Sequence, residues 1–316
     1  MTDTVALRLV TVRCCVCDSA EAEQIATGYD FEYFSSGDTF TVSRCLVCGN
    51  VYLNPRPDVS EFERIYPSDY HSLDFSAENY SFVHKVRSRL EARRLLRYCR
   101  GIPSDARILD VGCGDGFHLS LLREYGSPQW SVSGIDIDHR AVEHARSRGL
   151  EVQLGTVEDL VEQGPQYDLV YTIQTIEHVA APDQMLADIG AILRPEGRVV
   201  IVTDNTDSID AGLFEARHWG GYHIPRHWNL FNRKSLARLA RKCGLEVVSI
   251  KTIVSPVNWV YSIHNLLVDR HAPRWLIERF TLKSPVSLAL FTMLDVILSR
   301  IGRGALLNAT FVKPAG

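Results

Sequence analysis

The chain has 316 residues, 46% of them hydrophobic, which is enough to bury a large core and to form more than one domain. Its formal net charge is −4 at pH 7, so the whole chain is not attracted to nucleic acid or to anionic membranes. The first ten residues lack the basic and apolar regions of a secretion signal. We therefore expect a cytoplasmic protein without a nucleic-acid partner, whose eight cysteines are metal ligands or core residues.

Two Cys-x-x-Cys pairs near the N-terminus predict a tetrahedral zinc site. They are formed by Cys14, Cys17, Cys45 and Cys48. Each short turn offers two thiolates, and Zn²⁺ accepts four. Because four sulfurs leave no open position, a structural staple is favoured over a platform for substrate or a partner. We predict a zinc-ribbon module over residues 1–57, with strands at 29–34 and 39–43 around a turn.

Residues 58–104 are expected to form a helical linker or lid. From 84 to 100 the apolar residues recur at helical spacing among seven arginines and lysines. Such a basic helix can hold a phosphate, RNA or an anionic lipid. A solvated face is the commoner outcome, and the acidic balance of the chain favours it.

The most informative stretch is 107–117, RILDVGCGDGF. Its apolar residues predict a buried strand that ends in Gly112, Gly114 and Gly116 before a helix. Glycines at a strand-to-helix turn let a ligand approach the backbone closely. A second strand-like run ends in Asp136, whose carboxylate could accept hydrogen bonds from a ribose diol. The two strands together predict a nucleoside site.

A dinucleotide-binding protein is the alternative. Its fingerprint would need a third glycine at 117, where this chain has Phe117. The spacing D-x-G-x-G-x-G instead resembles the glycine loop of class I S-adenosylmethionine-dependent methyltransferases. The resemblance continues through 167–179 (YDLVYTIQTIEHV), 192–205 (ILRPEGRVVIVTDN) and 305–314. The cysteine pairs resemble a zinc module that precedes the catalytic domain in bacterial methyltransferases of sugars and other small metabolites.

This resemblance implies S-adenosyl-L-methionine as the methyl donor, beside a zinc ion in the N-terminal module. It implies that the second-strand acid holds the ribose and that the start of the helix after the third strand surrounds adenine. A segment before the glycine loop would close over the methionine end, unless its tyrosines only pack. The residues assigned to the donor are Asp110, Gly112, Gly114, Gly116, Asp136, Ile137, Val157, Gln174 and Tyr70.

The second half of the chain predicts an α/β fold with a doubly wound, mostly parallel, Rossmann-like seven-stranded sheet. Strands are expected near 107–112, 131–137, 151–155, 167–173, 198–204, 245–253 and 306–313. We assign 105–316 to the methyltransferase domain, with a helical cap inserted at 255–304. The apolar helix at 286–301 is too short to span a membrane. A cap over the acceptor or a homodimer face is favoured, and contact with a lipid-linked substrate at a membrane surface stays open.

Three residues are candidates for the chemistry. Glu177 and His178 follow the fourth strand at the edge where such sheets bind ligands, and His223 lies in the loop after the fifth strand. An imidazole whose pKa is near neutrality is suited to taking a proton from an acceptor. Alternatively His178 packs or caps its loop, because Glu-His-Val is common in the resembling family among members with different acceptors.

The loop 214–231 mixes aromatic rings and imidazoles with glycines and a proline. This mixture suits a pocket for an apolar or sugar face, although a hydrophobic lid with hydrogen-bonded histidines would have the same composition. The predicted substrate contacts are Trp219, Tyr222, Arg226 and His227. The resembling family has a Pro-Arg-His element here, which Pro225, Arg226 and His227 match.

These features predict methyl transfer to oxygen or carbon of a small metabolite, with a sugar or lipid-like natural product preferred. One alternative is RNA base methylation, because some RNA methyltransferases also carry zinc ribbons. Another is a non-catalytic scaffold that binds the donor without turning it over.

Overall fold

A computed structural model describes residues 6–66 and 82–315, and all structural statements below refer to these residues. Tyr70, one of the predicted donor contacts, lies outside them. The N-terminal part contains β1 (Leu9–Val10), β2 (Ala22–Gly28), β3 (Phe40–Cys45), β4 (Val51–Leu53), β5 (Arg56–Pro57) and α1 (Phe62–Ile65). Helix α2 (Phe82–Tyr98) then leads to the large sheet. Its residues from 92 onwards bury Ala92 and Leu95 against the sheet.

The large sheet has seven strands. In chain order they are β6 (Arg107–Val111), β7 (Ser131–Asp136), β8 (Val152–Leu154), β9 (Tyr167–Ile173), β10 (Leu193–Asp204), β12 (Glu246–Ile253) and β13 (Leu306–Val312). Their spatial order is β12-β13-β10-β9-β6-β7-β8. Neighbouring strands from β8 to β10 pair in parallel, and β13 is antiparallel to both β10 and β12. The predicted doubly wound sheet is confirmed.

Helices cover both faces of this sheet, and β9 in its centre is almost fully buried. They are α3 (Phe117–Tyr125), α4 (His139–Ser147), α5 (Glu158–Val161), α6 (Pro182–Ile192), α7 (Ile209–Phe214) and α8 (Arg233–Lys242). Helix α4 begins immediately after β7 because the Asp138 carboxylate accepts hydrogen bonds from the first backbone N–H groups of the helix. Strand β10 begins at Leu193, five residues before the predicted start, and a register shift separates that early part from Arg198.

The prediction of a strand at 29–34 was wrong. Strand β2 ends at Gly28, and an irregular loop connects it to β3. The cause is Asp30, whose carboxylate accepts hydrogen bonds from the backbone N–H groups of Glu32, Tyr33 and Ser35. Backbone N–H groups that donate to a side chain in this way cannot form the hydrogen bonds of a sheet.

The N-terminal sheet also contains a strand from the second half of the chain. Its order is β11-β4-β3-β2, and β11 (Asn229–Leu230) lies near the end of the aromatic loop at 214–231. Strand β11 pairs with Val51 and Tyr52 of β4. The loop that carries the predicted substrate contacts is therefore tied to the cysteine-bearing module by backbone hydrogen bonds.

The predicted cap contains α9 (Val257–Asp269), α10 (Arg274–Ile277) and α11 (Pro285–Arg300). Helices α9 and α11 pack through Trp259 and Phe291, whose rings stack with centroids 5.7 Å apart. The outer face of α11 and the residue after it leave Val286, Leu290, Met293, Ile297 and Ile301 exposed. Within the described residues, no helix has the length and apolarity needed to cross a bilayer. The functions expected of the cap and the expected location stay predictions.

Candidate active site

The carboxyl ends of β6, β7, β9 and β10 meet at one edge of the sheet, because these strands are parallel. The glycine loop follows β6 there, and the three glycines have φ between +52° and +78°. A Cβ at Gly112 would lie 2.4 Å from Oγ1 of Thr175, and one at Gly116 would lie 2.4 Å from Leu150. A Cβ at Gly114 would meet no atom of the described residues within 4 Å. Two glycines thus permit close packing, whereas Gly114 borders open space that a ligand can use.

Asp136 at the end of β7 is joined to the glycine loop. Its Oδ2 accepts a hydrogen bond of 2.7 Å from the backbone N–H of Gly114, and its Oδ1 accepts one from Asp138. Burial raises the pKa of this carboxyl. Each oxygen keeps a second lone pair for a ligand hydroxyl. The neighbouring Ile137, which follows β7, is 54% exposed.

The other predicted donor contacts differ in burial and in hydrogen bonding. Asp110 lies beneath the loop, and burial raises its pKa to about 7. Neither of its carboxylate oxygens has a hydrogen bond of acceptable geometry with a described residue. Val157 is buried and immediately precedes α5, and its contact with adenine stays a prediction. The side chain of Gln174 turns away from the glycine loop and donates a hydrogen bond of 2.7 Å to Glu177.

These features fit S-adenosyl-L-methionine. The open position at Gly114 admits a ligand against the backbone, and the carboxylate of Asp136 has lone pairs for a ribose diol. Asp110 adds a buried acceptor at the end of β6, with His118 as its nearest basic neighbour at 3.9 Å. A diphosphate would require a second cradle of backbone donors, for which the loop has no glycine at 117.

Two buried acids lie beyond β9 and β10. Glu177 accepts hydrogen bonds from the Gln174 amide and, at 2.8 Å, from the hydroxyl of Thr203. Asp204 accepts one of 2.6 Å from the amide of Asn258 in α9. Burial raises the pKa of Glu177 well above its ordinary value and raises that of Asp204 to about 7. The cap therefore contacts the active-site edge directly through Asn258.

Three histidines cluster beside these acids. The ring centroid of His227 lies 4.5 Å from that of His178 and 4.9 Å from that of His223. Nδ1 of His178 lies 2.7 Å from the hydroxyl of Tyr66. Burial lowers the pKa of His178 to about 3 and that of His227 well below its ordinary value. Both imidazoles are therefore neutral at physiological pH.

His223 has a partner that the sequence did not reveal. Its Nδ1 lies 2.9 Å from Oε1 of Glu32, in the loop between β2 and β3. The backbone of His223 is held in the left-handed region, with φ of +35°. A carboxylate on one ring nitrogen fixes the orientation and the tautomer of an imidazole. Glu32 is 191 residues away in the chain, so no local pattern could indicate this pair.

Three of the predicted substrate contacts form hydrogen bonds within the protein through their polar groups, and their contact with substrate stays a prediction. Nε1 of Trp219 donates to Asp210, the hydroxyl of Tyr222 donates to the carbonyl of Glu215, and the guanidinium of Arg226 pairs with Asp30 at 2.8 Å. All three side chains are buried. Trp219 and Tyr222 line a cavity of about 10 Å³, which has room for roughly one water molecule. These residues support the loop, whereas His227 contacts the histidine and acid cluster directly.

The four predicted cysteines come together. The sulfurs of Cys14 and Cys48 are 3.5 Å apart, as are those of Cys17 and Cys45. All four lie within 4.8 Å of one another, whereas Cys15 is not part of the group. Sulfurs bound to one zinc ion at about 2.3 Å would be separated by roughly 3.8 Å in a tetrahedron. The donor set and its spacing therefore fit zinc.

A family model described as a methyltransferase domain matches residues 82–250, which is more than half of the chain. The chain belongs to this methyltransferase family. The match includes the glycine loop, Asp136 and the histidine and acid cluster, and it leaves out the cysteine module and most of the cap. Together with the seven-stranded sheet, it shows that the protein is an S-adenosylmethionine-dependent methyltransferase.

Individual relatives agree with this family. The ubiquinone biosynthesis O-methyltransferase of Bordetella avium is 30% identical over 172 residues, which cover 50% of this chain and 69% of that protein. An uncharacterised 37.1 kDa protein of transposon TN4556 from Streptomyces fradiae is 35% identical over 156 residues, or 46% of this chain and 45% of that one. The solved structure of the [4+2]-cyclase SpnF shares the fold, with a TM-score of 0.50, 18% identity and coverage of 76% of this chain and 86% of that chain.

Proposed function

We propose that this methyltransferase modifies an oxygen or carbon atom of a small metabolite, with a sugar or lipid-like natural product preferred. The single observation that carries the proposal is the cluster of imidazoles and buried acids beside the glycine loop. Such a cluster can orient a polar acceptor and take its proton. The relative named for ubiquinone biosynthesis, an O-methyltransferase, supports an oxygen acceptor.

The donor supplies an activated methyl group on a sulfonium sulfur. The protein therefore has to hold the acceptor in line with that carbon and accept one proton when the acceptor is a hydroxyl. The new bond joins the acceptor atom to the methyl carbon, and the bond from that carbon to sulfur breaks with its electron pair going to sulfur. We assign the proton to His223, with Glu32 as the positioning residue.

His178 is the weaker candidate for this proton, because burial lowers its pKa to about 3. Glu177 is also a weaker candidate, because its side chain is fully buried and is fixed by hydrogen bonds from Gln174 and Thr203. We infer that His178, His227 and Glu177 bind or orient the acceptor. Trp219, Tyr222 and Arg226 act indirectly by fixing the loop that carries His223 and His227.

We also infer that the four cysteines bind zinc as a structural ion. The inferred zinc would hold together the two turns that flank β2 and β3. The same module supplies Glu32, and its strand β4 pairs with β11 at the end of the catalytic loop. Its contribution to catalysis would thus be the position of Glu32 and of the loop, since a closed four-sulfur site has no position for substrate.

The acceptor class can be tested with labelled donor. The purified protein would be incubated with methyl-labelled S-adenosylmethionine and a metabolite extract of its host, and the labelled product identified by mass spectrometry. We expect a methylated small molecule, whose formation falls strongly in His223→Gln. Label in RNA would contradict the choice of acceptor, and the absence of any turnover of bound donor would support a scaffold instead.

A further inference from the structure

A second group of metal-ligating side chains lies at the active site, apart from the four cysteines. Glu177, His178 and His227 each place one ligand atom so that the three atoms lie within 4.8 Å of one another. We propose that these residues bind one divalent transition-metal ion through two imidazole nitrogens and one carboxylate oxygen. Two histidines and one carboxylate are a common ligand set for zinc and for iron(II) in enzymes.

The hydrogen bonds of the two histidines prepare them as ligands. Nδ1 of His227 lies 2.8 Å from the carbonyl of Gly221, and Nδ1 of His178 lies 3.3 Å from the carbonyl of Arg226. A carbonyl can only accept, so the Gly221 contact places the imidazole proton of His227 on Nδ1 and leaves a lone pair on its Nε2. His178 has the same tautomer when its Nδ1 donates to the Arg226 carbonyl and to the Tyr66 hydroxyl, which lies 2.7 Å from it. Neither Nε2 atom makes a hydrogen bond with a described residue. Metal-binding histidines usually donate their other nitrogen in this way.

The carboxylate is oriented in the same manner. The amide of Gln174 and the hydroxyl of Thr203 hold the two oxygens of Glu177, and each oxygen retains a lone pair for an ion. Gln174 itself is fixed by a left-handed backbone with φ of +54° and by a hydrogen bond from its N–H to Val202. Atoms bound to one metal at about 2.0–2.2 Å are roughly 3.3–3.6 Å apart in a tetrahedron. Small side-chain rotations would therefore close the site.

A cation could also replace protons on two buried acids of this region. Glu177 and Asp204 are both buried, and within the described residues no lysine or arginine forms an ion pair with either acid. Buried carboxylates are normally paired with a positive charge or bound to a metal. Asp204 lies 3.3 Å from Nδ1 of His227, where it would strengthen that imidazole as a ligand. A divalent ion would balance both carboxylates.

Three protein ligands leave coordination positions open, and the open side can take an oxygen of the acceptor. This part of the inference rests on the proposed function. A metal ion held by Glu177, His178 and His227 would lower the pKa of an acceptor hydroxyl, and His223 would take the proton of that hydroxyl. The acceptors favoured by such a site carry a hydroxyl group next to a second oxygen, because two oxygens can fill adjacent positions. A purely carbon nucleophile would gain less from the ion.

The test is a titration of zinc-loaded protein with Co²⁺, followed by calorimetry and visible absorption without donor or acceptor. We expect one Co²⁺ per chain, with the weak absorption bands of nitrogen and oxygen ligands and without thiolate charge-transfer bands. Glu177→Gln and His227→Gln should each weaken binding at least tenfold. His218→Gln is the matched control, because its imidazole lies in the same loop but pairs with Asp269. It should bind Co²⁺ as the wild type does.

Circular dichroism and the affinity for S-adenosylmethionine would show whether the variants are folded. If either ligand variant does not fold, His178→Gln would be measured in its place. His223→Gln separates the two proposals, since it should keep Co²⁺ binding while losing methyl transfer. The metal site would be overturned if the wild type bound no stoichiometric Co²⁺, if the bands were only those of thiolate ligands, or if the ligand variants bound as tightly as the control.

Discussion

Replacing Gly114 with alanine probes the donor site directly. Gly114 has a φ of +52°, and a Cβ built on it meets no atom of the described part of the chain within 4 Å. The added methyl group therefore costs only the left-handed backbone conformation, about 1 kcal/mol in the free energy of unfolding. For a domain of this size that cost lowers the melting temperature by roughly 2–4 °C.

The same methyl group would enter the space in which we place the donor. We expect the dissociation constant of S-adenosylmethionine to rise at least tenfold, which corresponds to about 1.4 kcal/mol of binding free energy. Calorimetry measures the affinity, and thermal denaturation measures the stability. The matched control is Gly164→Ala, because Gly164 has a φ of +73° and also has no atom of a described residue within 4 Å of a built Cβ.

Gly164 lies between α5 and β9, so its alanine variant should lose similar stability and keep the donor affinity. Gly112→Ala should behave differently from both, because its Cβ would clash with Thr175 at 2.4 Å. Overpacking and backbone strain together predict a loss of about 2–5 kcal/mol in stability for that variant. An unchanged donor affinity in Gly114→Ala would refute the assignment of this loop to the donor.

Three other changes test separate parts of the account. Asp136→Ala should weaken donor binding in calorimetry, and equal affinity would remove this carboxylate from the site. Cys45→Ser should release zinc and lower the melting temperature, whereas full zinc content by elemental analysis would contradict the ligand set. Arg226 and neighbouring hydrogen bonds outweigh burial and lower the pKa of Asp30 from 3.8 to about 2. This pair should therefore contribute about 2 kcal/mol above pH 4 that is lost as the pH falls to 2. Unfolding of Asp30→Asn should lack that part of the pH dependence, and an identical profile would contradict the ion pair.

The sequence predicted the main sheet well because its signals are local. Apolar runs such as 167–173 and the glycines after β6 determine strands and turns without reference to distant residues. The sequence also predicted that the four cysteines lie together, since their spacing alone suits the ligands of a tetrahedral ion.

What the sequence could not predict depends on contacts between distant segments. The loop at 29–39 looked like part of a hairpin, yet it supplies Asp30 to Arg226 and Glu32 to His223, nearly 200 residues later. The aromatic loop was expected to hold substrate because of its composition. Trp219 and Arg226 use their polar atoms inside the protein, since buried polar groups need partners that only the tertiary structure provides.

The most direct test of the central claim is a crystal structure of the protein with S-adenosylmethionine. The account predicts the ribose within hydrogen-bonding distance of Asp136 and the donor lying over Gly114, with its methyl group directed toward His178, His223 and His227. A donor bound elsewhere, or a nicotinamide dinucleotide in that space, would contradict it.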